Sequence, residues 1–325
     1  MKRSTLNIAI ALFLASPGLA DDNPLPSWNE GDTKSAIIAF VDSVTEEDSA
    51  AYVGEEDRIA VFDNDGTLWA EQPAYFQLLF AIDRVKAMAD MNPDWQTTEP
   101  YASILKDDIE NAFPNGTEDV LKVVAATHAR LTTDQFADVV RDWLETARHP
   151  ATGKPYTDMV YQPMLELLAY LRDEDFKTFI VSGGGIDFMR VFAEDVYGVP
   201  PEYVVGSSIE VKFDIVNGAP VLLKQEKIGF IDDGPGKPVG IQTHLGRKPL
   251  AAFGNSDGDL QMLQYTCLPK GPQFCLYVHH TDADREWAYD RESSVGKLDK
   301  GLDAAGIYGW TVVDMAKDWN RIFAE

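Results

Sequence analysis

Positive charge is scarce in this chain. Lys and Arg together number 28 against 53 Asp and Glu, leaving a formal net charge of −25 over 325 residues. A field of that sign repels polyanions and disfavours nucleic acid and anionic membrane surfaces as partners. Cysteine is scarcer still: Cys267 and Cys275 are the only two, on either side of a Pro-Lys-Gly-Pro turn. Neither has a catalytic setting. They are either a disulfide across the turn, as an oxidising compartment favours, or two reduced core residues. Long apolar runs are missing after the first twenty residues, so no stable membrane association is expected of the mature chain. Internal repeats and low-complexity tracts are missing too. What is present is a 45% hydrophobic content, enough for a sizeable core in one large domain with an insertion or in two modest ones.

The N-terminus has the form of a secretory signal. Lys2 and Arg3 give a basic start, Leu6 to Ala15 an apolar centre, and Gly18-Leu19-Ala20 a small-residue cleavage site before Asp21. The alternatives are a buried helix or an uncleaved anchor, for which the apolar stretch is short. Residues 1–20 are therefore expected to be a signal peptide, and the product periplasmic or secreted.

Residues 35–44 have the spacing of one amphipathic helix, read as a leader packed on the body. Ile59 to Phe62 continue an apolar, β-branched run from Arg58, the pattern of a strand buried on both faces, and "FKTFIVS" at 176–182 is the next of that kind. Helical patterns lie between them at 75–90, 118–131, 133–148 with Thr132 as N-cap, and 163–174. Residues 74–158 thus read as a helical cap inserted into an α/β core of 21–73 and 159–325. Beyond 182 the spacing predicts helices at 186–197, 238–245 and 260–265, strands at 203–207, 249–253 and 274–279, and a hairpin turning at Asn217-Gly218. Such alternation implies an α/β fold: a Rossmann-like, mostly parallel sheet covered by helices on both faces, with ligands at the carboxyl ends of its strands.

Four short motifs fall at those ends. "DNDGT", 63–67, sets Asp63 and Asp65 directly after the first strand. Like charges so close need a cation between them, and hard oxygen donors suit Mg2+; an acidic Asp-Gly turn is the plainer alternative. "SGGG", 182–185, offers the Ser182 hydroxyl and backbone N–H groups ahead of a helix, a setting that receives phosphate. Lys237 opens a helix before the next strand and can point its ammonium at the same region, with Lys224 and Lys227 as competitors. "GNSDGD", 254–259, again places oxygen ligands above a strand, or simply caps a helix. Trp69, Tyr75 and Phe76 either line a substrate pocket or belong to the core. His279 and His280 are read as structural, because neighbours on a strand point to opposite faces.

In order and spacing these motifs resemble those of the haloacid dehalogenase superfamily, near its phosphoserine phosphatase-like branch. The matching residues are Asp63-Asn64-Asp65-Gly66-Thr67, Ser182-Gly183, Lys237, and Gly254-Asn255 with Asp259. The resemblance implies a phosphatase in which Asp63 is the nucleophile that becomes an aspartyl-phosphate and Asp65 the general acid and then base. Thr67, Ser182, Gly183 and Lys237 would bind the phosphoryl group of a small phosphomonoester. Asp63, Asp65, Asn255 and Asp259 would hold Mg2+, with Asp259 set behind the others to orient Lys237 or a metal-bound water. In this family position 255 is often aspartate, so the site carries one negative charge fewer, and Asp257 is a candidate to make up the deficit. The alternatives are a phosphotransferase or phosphomutase of the same superfamily, or a non-catalytic protein that holds phosphate or metal.

Overall fold

The computed structural model describes residues 23–268 and 271–324. The expected signal peptide lies outside the described residues. Eight strands form one sheet: β1 Ile59–Phe62, β2 Lys177–Gly185, β3 Val204–Val216, β4 Ala219–Phe230, β5 Ala251–Gly254, β6 Phe274–Thr281, β7 Ala288–Tyr289 and β8 Thr311–Asp314, in the order β4-β3-β2-β1-β5-β6-β7 with β8 also on β6. The pairs β1–β2, β1–β5, β2–β3, β5–β6 and β6–β8 are parallel, whereas β4 and β7 run antiparallel to their neighbours. The expected α/β fold is therefore the observed one. All four residues of β1 and of β5 are buried, because helices cover both faces of the sheet and leave no strand side wet.

The order places β1 at the centre, between β2 and β5, with Phe62 paired to Ile180 on one side and Phe253 on the other. The chain leaves β1 at Asp63, leaves the buried part of β2 at Ser182 and leaves β5 at Asn255, so residues far apart in sequence emerge side by side. The apolar faces of the sheet form two clusters. One contains Ala60, Phe62, Ile180 and Phe253, and the other Val61, Phe179, Val181 and Ala252. The alternation follows from the period of two along each strand.

The stretch between β1 and β2 is helical, as its spacing predicts. Helices span Phe76–Met88, Tyr101–Leu105, Ile109–Ala112, Thr117–His128 and Thr133–Thr146. Thr132 caps the last of these in a capping box with Gln135. Ala81, Ile82, Val85, Ile104, Ala112 and Val123 make a small core of their own. Phe80, Phe136 and Val140 instead join the main cluster, so the insertion is rooted in the body.

The hairpin turns at Asn217-Gly218, with φ of 53° and 81°, the positive values that a tight Asn-Gly hairpin turn needs. It extends further than the sequence indicates, because β3 continues to Val216 instead of ending near Ser207. Its outer strand meets the helical insertion: Lys224 N donates to Leu131 O at 2.9 Å and Arg130 N to Lys224 O at 3.0 Å. The two excursions thus join into one cover on the strand-end side. Cys267 and Cys275 form a disulfide, which settles the two readings of that pair. The N-terminal helix Asp32–Thr45 packs on the body through Phe40, whose ring stacks on Phe274 at 5.1 Å.

Candidate active site

The turn after β1 builds the site. Asn64 O accepts from Leu68 N at 2.8 Å and Gly66 N donates to Trp69 O at 2.8 Å, which folds 63–69 into a compact loop. Gly66 has φ 72°, and a Cβ there would meet Asn255 Nδ2 at 2.0 Å and Glu71 Oε1 at 2.4 Å. Only glycine permits that approach. Tyr197 OH donates to Asn64 Oδ1 at 3.0 Å from below, and His280 Nε2 donates to Gly66 O at 2.8 Å. His280 is thereby a brace for the loop, in keeping with a structural role.

Lys237 is the pivot. Its ammonium is 1% exposed and donates to Asp63 Oδ1 at 2.7 Å, to Asp259 Oδ1 at 2.5 Å and to Val181 O at 3.0 Å. Three buried donor bonds satisfy the charge that would otherwise be costly to bury. Lys224 and Lys227 are elsewhere. Lys224 pairs with Asp187 and lies 4.5 Å from the Phe136 ring centre, and Lys227 pairs with Glu210.

Burial and repulsion from Asp259 push the Asp63 carboxyl up, and the Lys237 ammonium opposes them. Asp65 is raised to about 6, again by burial first, against the stabilising hydrogen bond from Trp69 Nε1 to its Oδ1 at 2.8 Å. The two aspartates therefore differ in kind. Asp63 is tied to a cation, and Asp65 is tuned toward neutrality, where proton transfer in both directions is easiest.

Ser182 is buried, and its Oγ accepts from Gly184 N at 3.1 Å. Gly184 lies beside Asp65: a Cβ there would be 3.5 Å from Asp65 Oδ2. Gly185 N, expected to be free, is engaged instead by Gln77 Oε1 at 2.6 Å. Gln77 belongs to the first turn of the helical insertion, so the cover reaches directly into the glycine turn.

Two of the expected ligands are engaged with protein partners. Thr67, expected to bind phosphate, is fully buried, and its hydroxyl donates to Asn255 Oδ1 at 3.1 Å; it braces Asn255. Asp259, expected among the metal ligands, has both oxygens committed. Oδ1 takes Lys237, and Oδ2 accepts from Asn255 N and Ser256 N, each at 3.0 Å. It positions Lys237 and the 254–256 turn, the orienting role that the resemblance also implied. Asp257 does not face the site either, since its Oδ1 accepts from Asp299 N at 3.0 Å and Gly301 N at 2.8 Å. Trp69 and Phe76 are core residues stacked on neighbouring rings, while Tyr75 is 39% exposed at the rim.

One acidic residue escaped the sequence reading. Glu71 is 1% exposed, and its Oε1 accepts from Asn255 Nδ2 at 2.7 Å and Tyr289 OH at 2.8 Å. Burial, and after it the charges of Asp65 and Asp63, push its carboxyl well above the usual range while the Tyr289 bond opposes them. Its one signal in the sequence is a lone carboxylate among Leu68, Trp69 and Ala70.

The oxygens that the resemblance assigns to a cation, the Asp63 carboxylate, the Asp65 backbone carbonyl and Asn255 Oδ1, are all hard donors. That chemistry fits Mg2+ and would not suit a thiophilic metal.

Comparison with known proteins bears on the fold and the family. No curated protein matches the chain in sequence. Among solved structures, a protein of unknown function from Bordetella pertussis Tohama I superposes with a TM-score of 0.50 at 14% identity, covering 79% of this chain and 98% of that one. A functionally unknown protein from Anaerococcus prevotii DSM 20548 gives 0.50 at 15% identity, covering 77% and 86%. A probable phosphoserine phosphatase from Vibrio cholerae gives 0.40 at 14% identity, covering 79% and 62%. At such identities the first two likenesses speak to the fold alone, and the third supports nothing further. The family model for haloacid dehalogenase-like hydrolases, however, matches residues 60–264, more than half of the chain and all four motifs. Sequence motifs, strand-end geometry and family match coincide, and the chain belongs to the haloacid dehalogenase-like hydrolases.

Proposed function

We propose that the protein is an exported, Mg2+-dependent phosphomonoesterase that hydrolyses small phosphate esters through an aspartyl-phosphate on Asp63. The observation that carries this reading is the bridge made by Lys237 between Asp63 and Asp259 at the point where β1, β2 and β5 end. A buried ammonium held there by one free-standing and one fully committed carboxylate neutralises charge beside the nucleophile and leaves its second oxygen available for attack.

The chain's own residues account for most of the chemistry. Asp63 attacks phosphorus, and carboxylate suits this because its phosphorylated form is a labile acyl phosphate. Asp65, raised to about 6 and steered by Trp69, gives a proton to the leaving alkoxide and then takes one from the attacking water. Lys237, the Ser182 hydroxyl and the Gly183 N–H face the transferring oxygens as fixed positive dipoles and charge. Mg2+, held by Asp63, the Asp65 carbonyl and Asn255, would offset charge on those oxygens. Helix Phe76–Met88 and the β3–β4 hairpin cover the strand ends, and this, with the acidic surface, favours compact leaving groups over polyanions.

Purified protein lacking residues 1–20 should release phosphate from a panel of small phosphomonoesters only when Mg2+ is supplied. Release from none of them, with Mg2+ bound, would favour a non-catalytic binding protein.

A further inference from the structure

Asn255 is the one neutral side chain among the donors expected to face a cation, and its amide can sit in either of two orientations. The structure fixes which. Nδ2 points at Glu71 Oε1, 2.7 Å away, and Oδ1 at the Thr67 hydroxyl, 3.1 Å away. The reverse orientation would set Oδ1 against an oxygen that already accepts from Tyr289, so the carboxyl decides it. Glu71 itself cannot turn away. A Cβ on Gly66 would lie 2.4 Å from its Oε1 and one on Gly296 1.8 Å, so the carboxyl is clamped between two residues that must be glycine. His280 stacks on the Tyr289 ring at 4.3 Å and holds Gly66 O, which ties the clamp to the catalytic loop. Asp257 is committed to other partners and Asp259 holds Lys237 and the Asn255 backbone N–H, so Glu71 is the carboxyl that takes the Asn255 side-chain amide.

We propose that Glu71 is the positioning residue of the cation site: by accepting from Asn255 Nδ2 it fixes the amide orientation in which Oδ1, not Nδ2, can serve as the cation's ligand. The inference rests on the Mg2+ reading above. Outer partners of this kind typically change metal affinity by about 10–100-fold.

The test is calorimetric Mg2+ titration of the mature protein, read alongside melting temperature. Glu71→Leu removes the acceptor and frees the amide to turn, and is expected to weaken Mg2+ binding at least roughly tenfold while the protein stays folded. Glu71→Gln keeps an oxygen for Asn255 Nδ2 and is expected to hold affinity within about threefold of wild type, as is the double variant Glu71→Leu/Asn255→Asp, in which both side-chain atoms at 255 are oxygens and orientation no longer matters. Equal affinity in wild type and Glu71→Leu would overturn the proposal, as would failure of the double variant to recover. Should Glu71→Leu not fold, Glu71→Gln decides: a loss of affinity beyond about threefold in the folded protein would overturn the proposal. If wild type itself binds no Mg2+, the metal reading has failed and this one falls with it, a result distinct from a site that binds equally well without Glu71.

Discussion

Two aspartates two positions apart do different work because their neighbours differ. Asp63 faces an ammonium, and Asp65 faces an indole N–H and the glycine turn. Replacing Asp65 with Asn should leave Mg2+ binding intact, because the carbonyl at 65 remains, and lower turnover of an alkyl phosphate by roughly 10²–10⁴-fold. Steady-state phosphate release checks this, and an aryl phosphate with a better leaving group should suffer less. At this scale the sequence was legible where a charged or hydroxyl side chain follows an apolar strand, as Asp63, Asp65 and Ser182 do, or opens a helix ahead of one, as Lys237 does. Glu71, Gln77 and Tyr289 were not legible, because what defines them is a partner more than a hundred residues away. For Thr67 and Asp259 the sequence shows residue type and position, but not the partners that only the fold brings to their oxygens.

Helices and strands were legible in kind as far as β6, whereas β7, β8 and the helix Lys300–Tyr308 had no counterpart in the sequence reading. The apolar runs of β1, β2 and β5 and the Thr132 cap carry their own signals, whereas β3 continues beyond Ser207 as an exposed ribbon with no core to bury. Its docking on residues 130–132 joins segments about ninety positions apart and has no local signature. The helical cover contains a pH-sensitive joint. His128 is 2% exposed, and burial, then Lys224 and Arg84, lower its pKa to about 3. Its Nε2 accepts from Gln77 Nε2 at 3.2 Å, and Gln77 holds Gly185. The folded state thus keeps the ring neutral, while the unfolded chain takes up a proton below about pH 6.5, so stability falls as pH drops through that range. Between pH 7 and pH 5 this group alone should cost about 2 kcal/mol. His128→Gln, compared with wild type by urea unfolding, should lose correspondingly less over the same interval.

For the molecule as a whole, composition spoke more to setting than to chemistry. The disulfide suits the export proposed above, and no helix among the described residues is long and apolar enough to cross a membrane. The Cys267–Cys275 bond closes a loop with a sequence separation of 8. By chain entropy a loop of that size stabilises by about 2.5 kcal/mol, so Cys267→Ser/Cys275→Ser should lower the unfolding free energy by about that amount without altering catalysis, as denaturant titration would show. The central claim concerns a single carboxylate within this frame. Phosphate release from an aryl phosphate in the presence of Mg2+ should fall by at least roughly 10³-fold in folded Asp63→Asn protein; turnover within a few-fold of wild type would contradict the account.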